Sequence, residues 1–187
     1  SYHAEKAAER MGFNFERMRR DVGGLYNKIH GGLTDADLIP WVKDSDGGRY
    51  HLLRLMSDYP GVSSWLRFKA RLVEDMIAGF RRTMNQAGAE KMELLPNAFP
   101  PPFTIPSGMD FRRVARHSTA ISCKLYTMHW PMILRFYGDQ ILEANPGLSS
   151  KLLAKALVNL LDIADDGGLD TIEDYSYPGP NVPHPVG

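Results

Sequence analysis

The chain of 187 residues carries a single cysteine, Cys123. One thiol cannot close an internal disulfide or build a cysteine zinc site, so neither a disulfide framework nor a zinc ribbon is open to it. An excess of one charge sign is missing as well. The 22 basic and 22 acidic side chains cancel to a net charge of zero, and no overall field draws a phosphate backbone or an anionic membrane. Nucleic acid and membranes are therefore not expected partners. No apolar run approaches the ~20 residues of a membrane helix, and Ser1-Tyr2-His3-Ala4-Glu5-Lys6 lacks the apolar segment of a signal peptide. The sequence reads as a soluble chain, with the cytoplasm the favoured compartment. Several catalytic signatures are missing too: a phosphate loop of Walker spacing, G-x-G-x-x-G, the G-x-S-x-G elbow and H-E-x-x-H. The 6 histidines are scattered, none at i, i+4 spacing, so no cofactor and no local metal site is expected.

What is present is ordinary for a globular protein: 43% hydrophobic and 24% charged residues, in a chain long enough to bury roughly 70% of its unfolded surface. The length suits one domain over residues 1–187. The chain opens at Ser1 without a methionine, enters a helix-like pattern almost at once and stops inside a proline-rich stretch at Pro185-Val186-Gly187. The expectation is a fragment of a larger domain.

Helical signals fill the first half. His3 to Met11 is rich in Ala, Glu and Lys and closes at Gly12. Asn14 caps a second helix whose apolar residues Phe15, Met18, Val22, Leu25, Tyr26 and Ile29 are spaced three and four apart. From Gly32 to Gly48, Thr34, Pro40, Asp44, Ser45 and Asp46 give a loop composition, interrupted by Leu33, Leu38, Ile39, Trp41 and Val42. After Pro60-Gly61, Ser63 or Ser64 caps the longest helix. Its residues Trp65, Phe68, Leu72, Met76 and Phe80 are expected on a packed face, and Arg67, Arg71 and Arg82 in water.

Beyond Gly88 the texture changes. Lys91 to Asn97 and Ile121 to Met128 are short apolar runs between breakers and read as strands. A proline-rich loop at Phe99-Pro100-Pro101-Pro102-Phe103 and a short helix around Phe111 and Val114 lie between them. Strand, helix, strand at this spacing is a βαβ unit with parallel pairing. Two helices follow, Met132 to Ala144 and Ser149 to Ile163. Leu169 to Tyr177 reads as a third short strand. The fold class expected is α/β, with helix-rich parallel βα units forming part of an incomplete (β/α)8 TIM barrel.

Sites in parallel α/β folds form at the carboxyl ends of the strands. Asn97 and Phe99 leave the first strand, and Tyr126, His129 and Trp130 leave the second. Rings beside amide and imidazole groups suit a sugar, whose C–H face packs on an aromatic while its hydroxyls need directed hydrogen bonds. Trp130 before Pro131 equally suits a packed loop aromatic, and His129 a histidine satisfied by backbone. Glycoside hydrolysis needs two carboxyls, and Glu173 and Asp174 beside Tyr175 and Tyr177 are the candidates. Neighbours on a strand point to opposite sides, so at most one of them is expected to face a pocket, and Glu173 is preferred. Glu93 inside the first strand is expected to pair with a lysine such as Lys124. Cys123 reads as a buried, inert thiol.

Three stretches carry a family resemblance: Gly12-Phe13-Asn14-Phe15-Glu16-Arg17-Met18-Arg19-Arg20-Asp21-Val22; Trp65-Leu66-Arg67-Phe68-Lys69; and Glu173-Asp174-Tyr175-Ser176-Tyr177-Pro178 with Pro183-His184-Pro185-Val186-Gly187. Together the chain resembles the middle of uncharacterised bacterial TIM-barrel proteins of glycoside-hydrolase type. The resemblance implies barrel strands before Ser1 and after Gly187, and association through open sheet edges. The function expected is a glycoside hydrolase acting on a carbohydrate; the competing reading is a noncatalytic barrel segment that binds sugar or serves assembly.

Overall fold

The computed structural model describes residues 2–44, 46, 48–100, 103–124, 129–162 and 169–175. The chain divides into two compact units, unit 1 from Ser1–Val22 and Pro60–Leu125, and unit 2 from Gly23–Tyr59 and Tyr126–Gly187. Helices dominate both units. The barrel expectation is corrected by this: among the described residues the only strands are β1 (Asn97–Ala98) and β2 (Ser122–Cys123), paired in parallel with Asn97 opposite Ser122.

In unit 1, α1 (Tyr2–Arg10) ends before Gly12, and Asn14 caps α2 (Phe15–Ile29) by accepting the Arg17 N–H at 2.9 Å. The first part of α2 belongs to unit 1 and the rest to unit 2. The long helix α5 (Pro60–Gln86) starts earlier than the serine caps suggest. Pro60 takes the first helical position, where its missing N–H costs nothing. The cap comes from outside the helix, since the Gly61 N–H donates to Oδ2 of Asp21 at 2.7 Å. A Cβ at Gly61 would lie 2.5 Å from the Arg17 carbonyl oxygen. Only glycine lets α5 meet α2 this closely.

The packed face of α5 also differs from expectation. Phe68 is buried with Ala7, Ala8 and Met18, and Trp65 and Leu72 pack against that cluster, but Met76 and Phe80 are half exposed, at 50% and 52%. Their side of the helix is replaced in the interior by Ala70, Glu74, Ile77 and Ala78. The apolar stripe in the sequence is wider than the surface available to cover it. Two short helices, α6 (Thr104–Ser107) and α7 (Phe111–Val114), pack on α5 between the strands.

The strands stop at two residues for a local reason. Pro96 and Pro100 flank β1 and carry no N–H for a ladder. Pro96 accepts from the Ser122 N–H, and Ala98 from the Lys124 N–H, and the ladder ends there. Cys123, expected to be buried, is only half-buried. Glu93 and Lys124 are both exposed, and no ion pair joins them among the described residues.

In unit 2, the stretch read as a loop contains α3 (Asp35–Lys43), and α4 (Arg49–Asp58) follows it. A capping box starts α3: Asp37 accepts from the Thr34 N–H and hydroxyl, at 2.9 and 2.8 Å. This cap and packing across α9 (Ser150–Leu161) outweigh the internal Pro40. α8 (His129–Ala144) starts three residues earlier than the sequence suggests. Gly138 on α8 lets Ile172 dock, since a Cβ there would lie 2.6 Å from Ile172 carbons. The core gathers Leu38, Leu134, Leu153, Ala154, Ala156, Ile172 and Tyr175. The expected third strand is instead a 3₁₀ turn, Ile172–Asp174, packed on α8 and α9. Asn145, 4% exposed, ties the helix ends together. Its Oδ1 accepts from the Gly31 and Leu33 N–H groups, and its Nδ2 donates to the Ile29 and Ile141 carbonyls. All four hydrogen bonds an asparagine side chain offers are used.

Candidate functional site

The residues expected to form a sugar site are divided between the units. Asn97 and Phe99 lie in unit 1, both exposed at the short parallel pair. Trp130, Glu173 and Asp174 lie in unit 2. Tyr126 lies outside the described residues; His129 opens α8, and its side chain lies outside them as well. Trp130 is half-buried and packs against the leucine-rich core. The expectation that Glu173 and Asp174 sit at a strand end is corrected by the 3₁₀ turn that carries them.

Both carboxylates organise that turn. The Ser150 hydroxyl donates to Oε2 of Glu173 at 2.5 Å, and the same oxygen of Ser150 accepts the Ile172 N–H at 3.0 Å. The Glu173 carbonyl accepts from Arg135 at 2.9 Å. The Ser150 hydroxyl, with help from the nearby backbone and Arg135, holds the Glu173 carboxyl below the usual carboxylate range. Asp174 accepts from the Thr171 hydroxyl and N–H, both at 2.9 Å, and these bonds lower its pKa in turn. A general acid for glycoside cleavage needs its pKa raised, and the shift at both residues has the opposite sign.

A different site emerges from unit 2. The C-terminal turns of α2, the helices α3 and α4, and the facing sides of α8 and α9 enclose a cleft of about 640 Å3. Leu25 and Ile29 line it from α2, Trp41 from α3, Leu55 from α4, and Leu153 and Leu157 from α9. The walls are aliphatic because each helix turns its apolar positions inward at three- and four-residue spacing, as Leu153, Leu157 and Leu160 do on α9.

Charged groups stand along the cleft, and most are held. Lys28 donates to the Gly32 carbonyl at 2.7 Å and pairs with Asp37 at 2.8 Å. Burial pushes the Asp37 carboxyl up, but hydrogen bonds from Lys28 and Thr34 outweigh it and hold the group below its ordinary value. Nε2 of His51 lies 2.7 Å from Oδ2 of Asp44, which ties the start of α4 to the end of α3. Asp46 caps the same helix by accepting the Gly48 and Tyr50 N–H groups; the Tyr50 bond chiefly, opposed by burial, lowers its pKa.

Sequence reasoning singled out Leu25, Ile29, Leu38 and Trp41 only as apolar residues, and left α4 unassigned. Leu52 and Leu55, three apart on either side of Arg54, were the signal for a helix there. Among the described residues no group of three His, Cys, Asp or Glu side chains is placed to hold a metal ion, and no helix is long and apolar enough to cross a membrane. Comparison with known protein families, with curated proteins and with solved structures gave no match.

Proposed function

We propose that the cleft of unit 2 is a noncatalytic binding site for a small molecule with an apolar body. The observation that carries this reading is the cleft itself: about 640 Å3, walled by leucine, isoleucine and tryptophan side chains. Small-molecule sites fall at about 300 to 1,000 Å3, with apolar walls and few polar groups. The sequence expectation of carbohydrate hydrolysis finds less support, because a sugar needs many directed hydrogen bonds and these walls offer few. Glu173 and Asp174 are occupied in holding the 3₁₀ turn.

The test is titration of the chain with decanol, followed by calorimetry, beside the variant Leu160→Glu. Leu160 lines the cleft and is 43% exposed, so a carboxylate there charges the mouth without opening a core cavity. Saturable binding by the parent chain, weakened about tenfold or more in the variant, is expected. Equal binding by both chains would contradict the assignment.

A further inference from the structure

The polar side chains of the cleft fall into two groups. Lys28, Asp37 and His51 are each engaged by a partner within the protein. Arg54 and Asp58, both lining the cleft from α4, have no hydrogen bond or ion pair among the described residues. They stand four residues apart, which places them on one side of the helix about one turn from each other. One side of the cleft thus presents an unspent guanidinium and an unspent carboxylate beside aliphatic walls.

This pairing discriminates among head groups. A simple anion that meets Arg54 also meets the charge of Asp58, and a simple cation that meets Asp58 meets Arg54. Each singly charged head gains one attraction and suffers one repulsion. A head carrying both charges a few ångströms apart satisfies both at once, with two oxygens for the guanidinium fork and an ammonium for the carboxylate. We propose that the cleft binds a zwitterionic amphiphile, an α-amino acid with a long aliphatic side chain. Its carboxylate lies on Arg54, its ammonium on Asp58, and its hydrocarbon among Leu55, Leu153 and Leu157. The proposal rests on the cleft reading above and adds the chemistry of the head group to it.

Four ligands of similar hydrocarbon length separate the two claims: α-aminodecanoate, decanoate, decylamine and decanol, each titrated below its micelle concentration into the full chain. The parent protein should bind α-aminodecanoate about tenfold or more tightly than decanol. Arg54→Gln should leave decylamine the better-bound of the two singly charged ligands, and Asp58→Asn should leave decanoate so. This reversal is a readout that a purely structural role for either residue would not produce. Both positions are exposed, and circular dichroism checks that each variant keeps its helices. Equal binding of all four ligands would overturn the head-group assignment and leave the cleft standing. A parent preference for decanoate or decylamine over the amino acid would also overturn it. Failure of a folded chain to bind any of the four would overturn the cleft reading and the head group with it.

Discussion

The buried apolar cluster of unit 1 gathers two alanines, a methionine and a phenylalanine, with Val62, Ile77, Val114 and further alanines buried outside it, whereas that of unit 2 gathers three leucines, an isoleucine and a tyrosine with two alanines. The polar interiors differ in kind as well. Unit 1 encloses the carboxylates of Asp21 and Glu74 and the hydroxyl of Thr104, and unit 2 the neutral amide of Asn145. Glu74 is met by Arg113 at 2.9 Å, with Arg71, Arg116 and His117 between 3.6 and 3.9 Å. Unit 1 therefore joins its helices through buried carboxylates and a close backbone approach at Gly61 as well as through its apolar residues. Unit 2 joins them through a leucine-rich cluster and one fully bonded amide, with polar contacts such as Lys28–Asp37 and His51–Asp44 outside that cluster. Unit 2, with the leucine-rich cluster, is also the one that holds the apolar cleft.

The comparison breaks first at Phe68. Removal of its buried ring should cost about 3 to 5 kcal/mol in Phe68→Ala, while Phe80→Ala, on the exposed side of the same helix, should cost less than about 1 kcal/mol. Urea unfolding of the two variants measures the difference, and equal losses would mean that the packed face of α5 is assigned wrongly. Asn145→Ala should cost about 2 to 4 kcal/mol, because it strands the Gly31 and Leu33 N–H groups at a helix junction. Hydrogen exchange should then rise at those two amides while unit 1 keeps its protection.

A smaller effect sharpens the electrostatic side of the comparison. Asp37 has its folded-state pKa lowered, so the stability it contributes is complete above the ordinary carboxylate pKa and is lost as pH falls through the folded value. Acid titration of the parent should show this loss in unit 2, and Asp37→Asn should flatten it. An unchanged acid limb in the variant would show that the Lys28 and Thr34 bonds contribute nothing to stability.

The helices were legible where caps and periodicity agree. Asn14 before Phe15, and Ser149 before a leucine-rich run, mark the starts of α2 and α9 within a residue. The misreadings share a cause. Thr34-Asp35-Ala36-Asp37 and Thr171-Ile172-Glu173-Asp174 are both Thr-x-x-Asp capping boxes, yet the first was masked by Pro40 and the second by its β-branched residues and tyrosines. Pro40 signals a loop only when nothing repays its missing hydrogen bond, and packing on α9 does so. The barrel expectation grew from two runs, Lys91 to Asn97 and Ile121 to Met128, of which only Asn97 in the first and Ser122–Cys123 in the second lie in strands among the described residues; prolines on both sides of β1 stop the ladder at two residues. The candidate site was legible only as separate apolar residues. Its walls come from five helices distant in the chain, and no local spacing encodes that they meet.

The cleft is the claim on which the functional account stands, and the tryptophans report on it directly. Of the 3 in the chain, Trp41 lines the cleft, Trp65 packs in the core of unit 1, and Trp130 packs against the core of unit 2. In an isotope-labelled sample titrated with decanol, the indole N–H signal of Trp41 should move saturably with added ligand while that of Trp65 stays in place. A Trp41 signal that does not move at saturating decanol, or that moves no more than Trp65, would contradict the account.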